Sequence, residues 1–325
     1  MNDRRNRLSS VVSRTTVVAI GGNSLIRSPE ENSFADQLAT VALTCRRVAE
    51  LVKVGERVVL THGNGPQVGF LLIRSHLARN RLPETPLDAC NAQTQAEIGY
   101  MIQQVLDNEL RALGLSNIAV TIVTQVLVDR SDPAFDNPTK PVGPFYTKAE
   151  AARLQKELGW RMMEDAGRGF RRIVPSPLPL AVIELDSIVT LLEKGAVVIA
   201  CGGGGIAVTH ENGRLQGVPA VIDKDLASAL LANEIGADRL VITTAVEQVY
   251  LDYQQPSQRA LREVCAAEMQ GYLEQGQFPS GSTGPKVEAA LGFLKRGGRE
   301  VIITDPEHLT AALLGQAGTR VVACR

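Results

Sequence analysis

The sequence predicts an α/β fold: a mainly parallel sheet covered by helices on both faces. Three observations lead there. Short β-branched runs alternate with stretches whose apolar residues recur at three- and four-residue steps. The runs are continuously apolar rather than alternating, which fits strands buried on both sides. Glycine clusters directly follow three of them, at Gly21-Gly22, Gly63-Asn64-Gly65 and residues 202–205. Folds of this class place their ligands beyond the carboxyl ends of the strands.

Taken in order, residues 16–20 read as a strand ending in Gly21-Gly22-Asn23. Leu38, Val41, Ala42, Cys45, Val48, Leu51 and Val52 then mark a helix that Gly55 closes. Residues 57–61 are the next strand, 93–113 a helix stopped by Gly114, and 118–128 a Val/Ile/Thr-rich strand. Residues 196–201 form a compact strand running into the glycines at 202–205. A helix follows at 225–233 and a strand at 239–243. Pro285 opens a helix reaching about residue 295, with Gly297-Gly298 as its stop. A strand at 301–304 and a helix at 307–314 complete the pattern. Residues 129–179 break the rhythm. They are rich in Pro, Gly and charge, hold a helical piece near 148–158, and read as an inserted subdomain or lid. Residues 1–14 read as a disordered basic tail, leaving 15–325 as the domain.

Composition removes several function classes. A net charge of -1 over 325 residues gives no electrostatic case for nucleic acid or a membrane surface. Aromatics at 4% provide few stacking platforms for bases. No apolar run approaches bilayer-spanning length. Cys45, Cys90, Cys201, Cys265 and Cys324 are odd in number, scattered and without a CxxC pair. That pattern points to free thiols in a reducing compartment such as the cytoplasm, and away from zinc.

The glycine turns let backbone N–H groups approach an anion, and a helix N-terminus behind them adds positive potential. Neither a P-loop nor a GxGxxG phosphate loop follows any strand. Lys224 lies between Asp223 and Asp225 at a helix start; alone, DKD is a capped helix with a solvated lysine. Lys286 sits just inside a helix N-terminus, where a cation is unfavourable without an anion nearby. Lys140 lies between prolines in the insertion. Together these residues suit phosphoryl transfer, which asks for fixed positive charge and N–H donors around a moving PO3 group and a metal on the nucleotide phosphates. His62 reads as a positioning residue, Trp160 as packing within the insertion, and Gln93, Gln95, Glu97, Gln103 and Gln104 as the polar face of one helix, a possible dimer surface.

The segments VVAIGGNSL, THGNGPQVG, NPTKPVGPFY, RRIVPSPLP, IACGGGGIAV, GVPAVIDKDLASALLA and FPSGSTGPKVEAAL occur in that order. This chain resembles the carbamate kinases of the amino acid kinase superfamily over residues 15–325. The resemblance implies a three-layer αβα sandwich around a mainly parallel sheet of about eight strands, with a small protruding subdomain that closes over the acceptor. It also implies a homodimer using ATP/ADP with Mg2+ to interconvert carbamate and carbamoyl phosphate, often in the ATP-forming direction. Gly21, Gly22 and Asn23 would bind the transferring phosphoryl group, and Gly63, Asn64 and Gly65 the carbamate and its phosphate. Lys140 would reach the acceptor side. Lys224 would meet the nucleotide phosphates, with Asp225 orienting the lysines. Lys286, Ser282 and Gly284 would face the β- and γ-phosphates, and Thr243, Val246, Tyr250 and Phe278 would border adenine and ribose. No protein metal ligands are implied. Ser24, Ala245 and Thr283 depart from the usual pattern, and none of them is a lysine, an aspartate or a turn glycine.

Two alternatives stay open. A carboxylate kinase with an acetylglutamate-like acceptor usually carries a lysine just before the first glycines, and VVAIGGN has none. A non-catalytic ligand sensor on the same fold would have no need of Lys140, Lys224, Asp225 and Lys286.

Overall fold

The computed structural model describes residues 14–22, 25–26, 33–165, 167–279 and 283–324. The expected tail, apart from Arg14, lies outside the described residues, as do Asn23 and Ser282.

An eight-stranded sheet forms the centre. Its order is Glu263–Cys265, Thr319–Val322, Glu300–Thr304, Arg239–Thr243, Thr15–Ile20, Arg57–His62, Val197–Ile199 and Ala119–Thr121. Neighbours run parallel except Glu300–Thr304 with Thr319–Val322. The Thr15–Ile20 strand is buried along its whole length, so its apolar run has no polar face to show. Alternate residues serve opposite layers. Val18 and Ile20 join a core with Val41, Cys45, Val48, Ile98, Ile102 and Leu309, from the helices Phe34–Lys53, Leu87–Ala112 and Leu309–Leu313. Val17 and Ala19 join the opposite core with Ile188, Leu231, Met269 and Phe293, from Leu185–Glu193, Lys224–Glu234, Ala266–Glu274 and Thr283–Lys295. Three αβα layers result.

Local signals set the helix ends. Ser33 and Asp36 form a capping box at the start of Phe34–Lys53. Thr147 and Glu150 do the same for Lys148–Leu158, which ends on Gly159 in the left-handed region.

The run expected as a single strand at 118–128 is broken. Ala119–Thr121 belongs to the central sheet, whereas Gln125–Val128 pairs in a second sheet with Ile206–Glu211 and Pro179–Val182. The break is held from inside: Thr124 N–H donates to Gln95 Oε1 at 2.7 Å, and Gln95 Nε2 donates back to the Thr124 carbonyl at 3.0 Å. Ile206–Glu211 and Arg214–Val221 form a hairpin turning through Asn212 and Gly213, both at positive φ. That Asn-Gly pair is a strong hairpin signal which the helix-and-strand reading passed over.

Residues 129–179 carry their own antiparallel sheet, Lys140–Tyr146 with Phe170–Val174 and Met162–Glu164, beside the Lys148–Leu158 helix. Trp160 packs there, under the Arg172 guanidinium and beside His76.

One expectation is corrected. Cys265 and Cys324 are joined as a disulfide, leaving Cys45, Cys90 and Cys201 free and buried. Their positions, 59 residues apart in sequence, hide the pairing. The register that sets Cys265 opposite Val322 brings the two strand ends together.

Candidate active site

Parallel pairing places the carboxyl ends of Thr15–Ile20, Arg57–His62, Val197–Ile199 and Arg239–Thr243 along one edge, and the glycine turns leave from there. Gly21 N–H donates to Thr243 Oγ1 at 2.8 Å, and a Cβ on Gly21 would press on the Thr243 carbonyl at 2.6 Å. Gly21 is therefore fixed by its contact with the neighbouring strand. Thr243, fully buried, supports the turn from beneath. Gly22 opens onto free space, and its nitrogen lies 3.8 Å from where a Cβ on Gly63 would stand. Two of the turns thus face each other.

The Gly63 turn leads into the helix Gly65–Ala78. No side chain caps that helix, so its first N–H groups point outward with its positive dipole end. Pro66 is the second residue of the helix, where its missing N–H costs no hydrogen bond. Asn64 is buried, and its Nδ2 donates to Asn91 Oδ1 and, at 2.7 Å, to Thr94 Oγ1. Asn91 Nδ2 in turn donates to the Gly205 carbonyl at 2.7 Å. The glycines at 202–205 are required by this packing: side chains at 202 and 203 would run into His62, Asn64 and Asn91. They support the Gly63-Asn64-Gly65 turn from behind.

Gln95 is corrected from an exposed face to this buried network, because its amide also holds the Gly202 carbonyl at 2.9 Å. Gln103 likewise turns to the sheet, accepting from Thr121 N–H at 3.0 Å, whereas Gln93 and Gln104 are exposed as expected. His62 donates through Nδ1 to the Gly63 carbonyl at 2.9 Å. Burial, opposed by that bond and aided by Lys224, holds its pKa down to about 4. It is neutral at pH 7.

The charged centre lies at the start of Lys224–Glu234. Asp223 caps this helix, its Oδ1 accepting from Asp225 N–H at 2.8 Å. Asp225 is buried between two ammonium groups, Lys224 Nζ at 2.6 Å from Oδ1 and Lys286 Nζ at 3.2 Å from Oδ2. Burial alone would raise its pKa, but the two lysines outweigh it and hold the carboxyl at about 2. Lys224 is shifted the other way: burial lowers its pKa, Asp225 opposes, and Lys286 adds to the lowering. Lys224 Nζ is buried against a single carboxylate oxygen, Asp225 Oδ1 at 2.6 Å, which leaves part of its three-donor capacity unused. An ammonium in that state is arranged for an anion. The Lys224 stem also passes over Gly63, 3.7 Å from where a Cβ would be.

Lys140 arrives from the 129–179 segment. Its Nζ bonds Asp223 Oδ2 at 2.5 Å, beside Lys224. The sequence shows Lys140 and Asp223 separately but gives no sign of the pair.

The residues expected around adenine are partly gathered. Gln277 Oε1 accepts from Asp252 N–H at 2.9 Å, tying the Phe278 segment to the strand Val249–Leu251 that carries Tyr250. Phe278 itself is buried in the core with Val249 and Leu251. Gly284 N–H closes the turn onto the Pro279 carbonyl at 3.0 Å. Val246 is half-buried after Thr243.

A sheet edge bearing opposed glycine turns and a buried Lys-Asp-Lys centre defines a class of phosphoryl-transfer enzyme. The chain belongs to the amino acid kinase family, whose model matches residues 14–305. Its place within that family follows from its relatives. It is 48% identical to a carbamate kinase of Pyrococcus horikoshii, covering 94% of this chain and 98% of that protein. It is 50% identical to the carbamate kinase-like protein YahI of Escherichia coli, at 94% and 98% coverage. The structure of carbamate kinase from Giardia lamblia bound to AMP-PNP superposes with a TM-score of 0.89 at 42% identity, covering 96% and 99% of the two chains.

Proposed function

We propose that this chain catalyses reversible phosphoryl transfer between ATP and carbamate. The observation that carries the reading is the Lys224–Asp225–Lys286 centre, in which a desolvated ammonium has one carboxylate oxygen as counter-charge and N–H capacity to spare. A polyanionic phosphoryl group supplies the missing acceptors.

In the ATP-forming direction the phosphorus–oxygen bond to the carbamoyl group breaks, and a bond to the β-phosphate oxygen of ADP forms. Carbamate leaves as an anion, so no proton need move and a neutral His62 suffices as a positioning group. Lys224 and Lys286 would stabilise the charge on the transferring group, each held in place by Asp225. Gly21, Gly22 and Asn23 would offer N–H groups to that phosphoryl group. Gly63, Asn64 and Gly65 would hold the carbamoyl end at the uncapped helix start. Lys140 would close over the acceptor as part of a lid. Thr243, Val246, Tyr250, Phe278, Ser282 and Gly284 would shape the nucleotide side, with Thr243 and Phe278 acting from beneath.

Mg2+ would neutralise the nucleotide phosphates. Among the described residues no group of three His, Cys, Asp or Glu side chains could hold a metal ion, and Asp225 is engaged by two lysines. The ion would therefore ride mainly on the phosphates. We also propose a cytoplasmic homodimer working toward ATP synthesis; the free thiols of Cys45, Cys90 and Cys201 support a reducing compartment, and the Cys265–Cys324 bond counts against it. Exposed Ile118 and Val123 flank the edge strand Ala119–Thr121 and support a joining of copies there. Among the described residues no helix is long and apolar enough to cross a membrane.

The test is a coupled assay of ATP formation from ADP-Mg2+ with carbamoyl phosphate, run beside acetyl phosphate and acetylglutamyl phosphate. Strong preference for carbamoyl phosphate is expected. Preference for another donor, or no ATP at all, overturns the assignment.

A further inference from the structure

Gly69 and Gly143 meet backbone to backbone where the 129–179 segment rests on the Gly65–Ala78 helix. A Cβ built on Gly69 falls well under 3 Å from Gly143 Cα and 2.8 Å from Gly143 N. Both obstacles are main-chain atoms, so no side chain can swing away. Gly143 has a different reason to be glycine: its φ is +77°, while a Cβ there would find Gly69 Cα at an ordinary 3.6 Å. Around the pair, Val142 packs with Val68 and Leu72 in a small apolar cluster, and Arg171 Nε donates to the Gly143 carbonyl at 2.9 Å.

The contact sits between two parts of the proposed chemistry. Gly69 lies one turn beyond the Gly63-Asn64-Gly65 loop on the same helix. Gly143 lies three residues after Lys140 on the Lys140–Tyr146 strand. We propose that the Gly69–Gly143 contact is the seat that sets Lys140 against the acceptor loop, making Gly69 a positioning residue for the carbamoyl substrate. This rests on the carbamate kinase reading above. An alanine at 69 forces the strand back by roughly 1 Å or more before carbons regain ordinary separation of about 3.5–4.0 Å. Lys140 Nζ is held at 2.5 Å from Asp223, and a shift of that size along the bond stretches it to about 3.5 Å, the edge of hydrogen-bond range.

The experiment is steady-state kinetics of ATP formation for Gly69→Ala, Lys140→Ala and the double variant. Misplacement on the ångström scale costs up to about 100-fold in reactions that depend on alignment. Gly69→Ala is expected to lower kcat/KM for carbamoyl phosphate at least tenfold, with KM for ADP within about twofold. In the Lys140→Ala background the same change should cost less than about twofold, since no lysine remains to misplace. Thermal stability should not fall through the helix itself, where Ala is favoured over Gly by about 1 kcal/mol. Equal losses in both backgrounds, a KM for ADP that rises as much as kcat/KM for carbamoyl phosphate falls, or no loss overturns the seat. If Gly69→Ala does not fold, Val142→Ala loosens the same seat without a clash and must show the same Lys140-dependent pattern, or the proposal fails. Wild-type protein that makes no ATP from carbamoyl phosphate refutes the functional reading instead, so the two failures are distinguishable.

Discussion

Asp225→Asn is the most informative single change, because one buried carboxylate holds two ammonium groups. The depression of its pKa from 3.8 to about 2 corresponds to roughly 2 kcal/mol of folded-state stability at neutral pH. The sign follows from proton binding. The unfolded chain takes up a proton near pH 4, whereas the folded chain resists until about pH 2. The contribution is therefore complete above pH 4 to 5 and falls as pH drops, with about half gone at pH 3. The amide variant also leaves Lys224 and Lys286 facing each other at the buried site, and breaking a buried pair in this way costs about 3–5 kcal/mol. At pH 7 the variant should thus lose more than the pKa shift alone accounts for.

Urea unfolding of both proteins at several pH values between 3 and 7 measures this. The expected result is a gap of roughly 3–5 kcal/mol at pH 7 that narrows toward pH 3. Excess ATP or ADP should not restore the variant fully, because a nucleotide binds in addition to Asp225 and does not take its place between the lysines. A variant as stable as wild type at pH 7, or a gap that does not change with pH, refutes the view that Asp225 is an ionised counter-charge.

Other outcomes follow from the same geometry. Lys224→Ala or Lys286→Ala should lower turnover by about 100-fold or more, as loss of a preorganised electrostatic donor does, and near-normal turnover in either removes that residue from the mechanism. The His62 ring should titrate near 4 by NMR. Because burial lowers that pKa, the unfolded state binds the proton first, and up to about 3 kcal/mol of stability should drain away between pH 6.5 and 4; a ring titrating above 6 contradicts this. Reduction, or Cys324→Ser, opens a 59-residue loop whose closure is worth up to about 4 kcal/mol, so Tm should fall by roughly 5 °C, and an unchanged Tm shows that the Cys265–Cys324 bond is absent.

Much of the fold could be read from local chemistry. Thr15–Ile20 and Arg239–Thr243 are fully buried, so apolar content alone marks them. The break at Ile122–Thr124 could not be read that way. A β-branched run looks the same whether it continues or is pinned, and the pin is Gln95, 29 residues earlier. Gln95 and Asn91 on a long helix also resemble solvated residues. Only the fold reveals that Asn91 bonds a carbonyl 114 residues away and that Asn64 bonds Asn91. The lysines could be found as oddities, cations near helix starts, and the resemblance names Asp225 as their partner, but Asp223 as the partner of Lys140 is legible only once packing brings the two together.

Asp223 links two features that the sequence presents as separate. One oxygen of its carboxylate caps the helix that begins with Lys224 and Asp225, and the other receives Lys140. A shift of Lys140 therefore acts on the same carboxylate that fixes the start of the lysine helix. If substrate draws Lys140 off Asp223, the cap remains, since Oδ1 still accepts from the helix N–H groups at 225 and 226. Lys140 can then be transferred between Asp223 and an anionic acceptor while Lys224 and Asp225 stay in place. An Asp223→Asn change should keep the cap, because Asn is as good an N-cap as Asp, while weakening the charged hold on Lys140. Its effect should appear in carbamoyl phosphate kinetics rather than in stability, whereas Asp223→Ala should lower both.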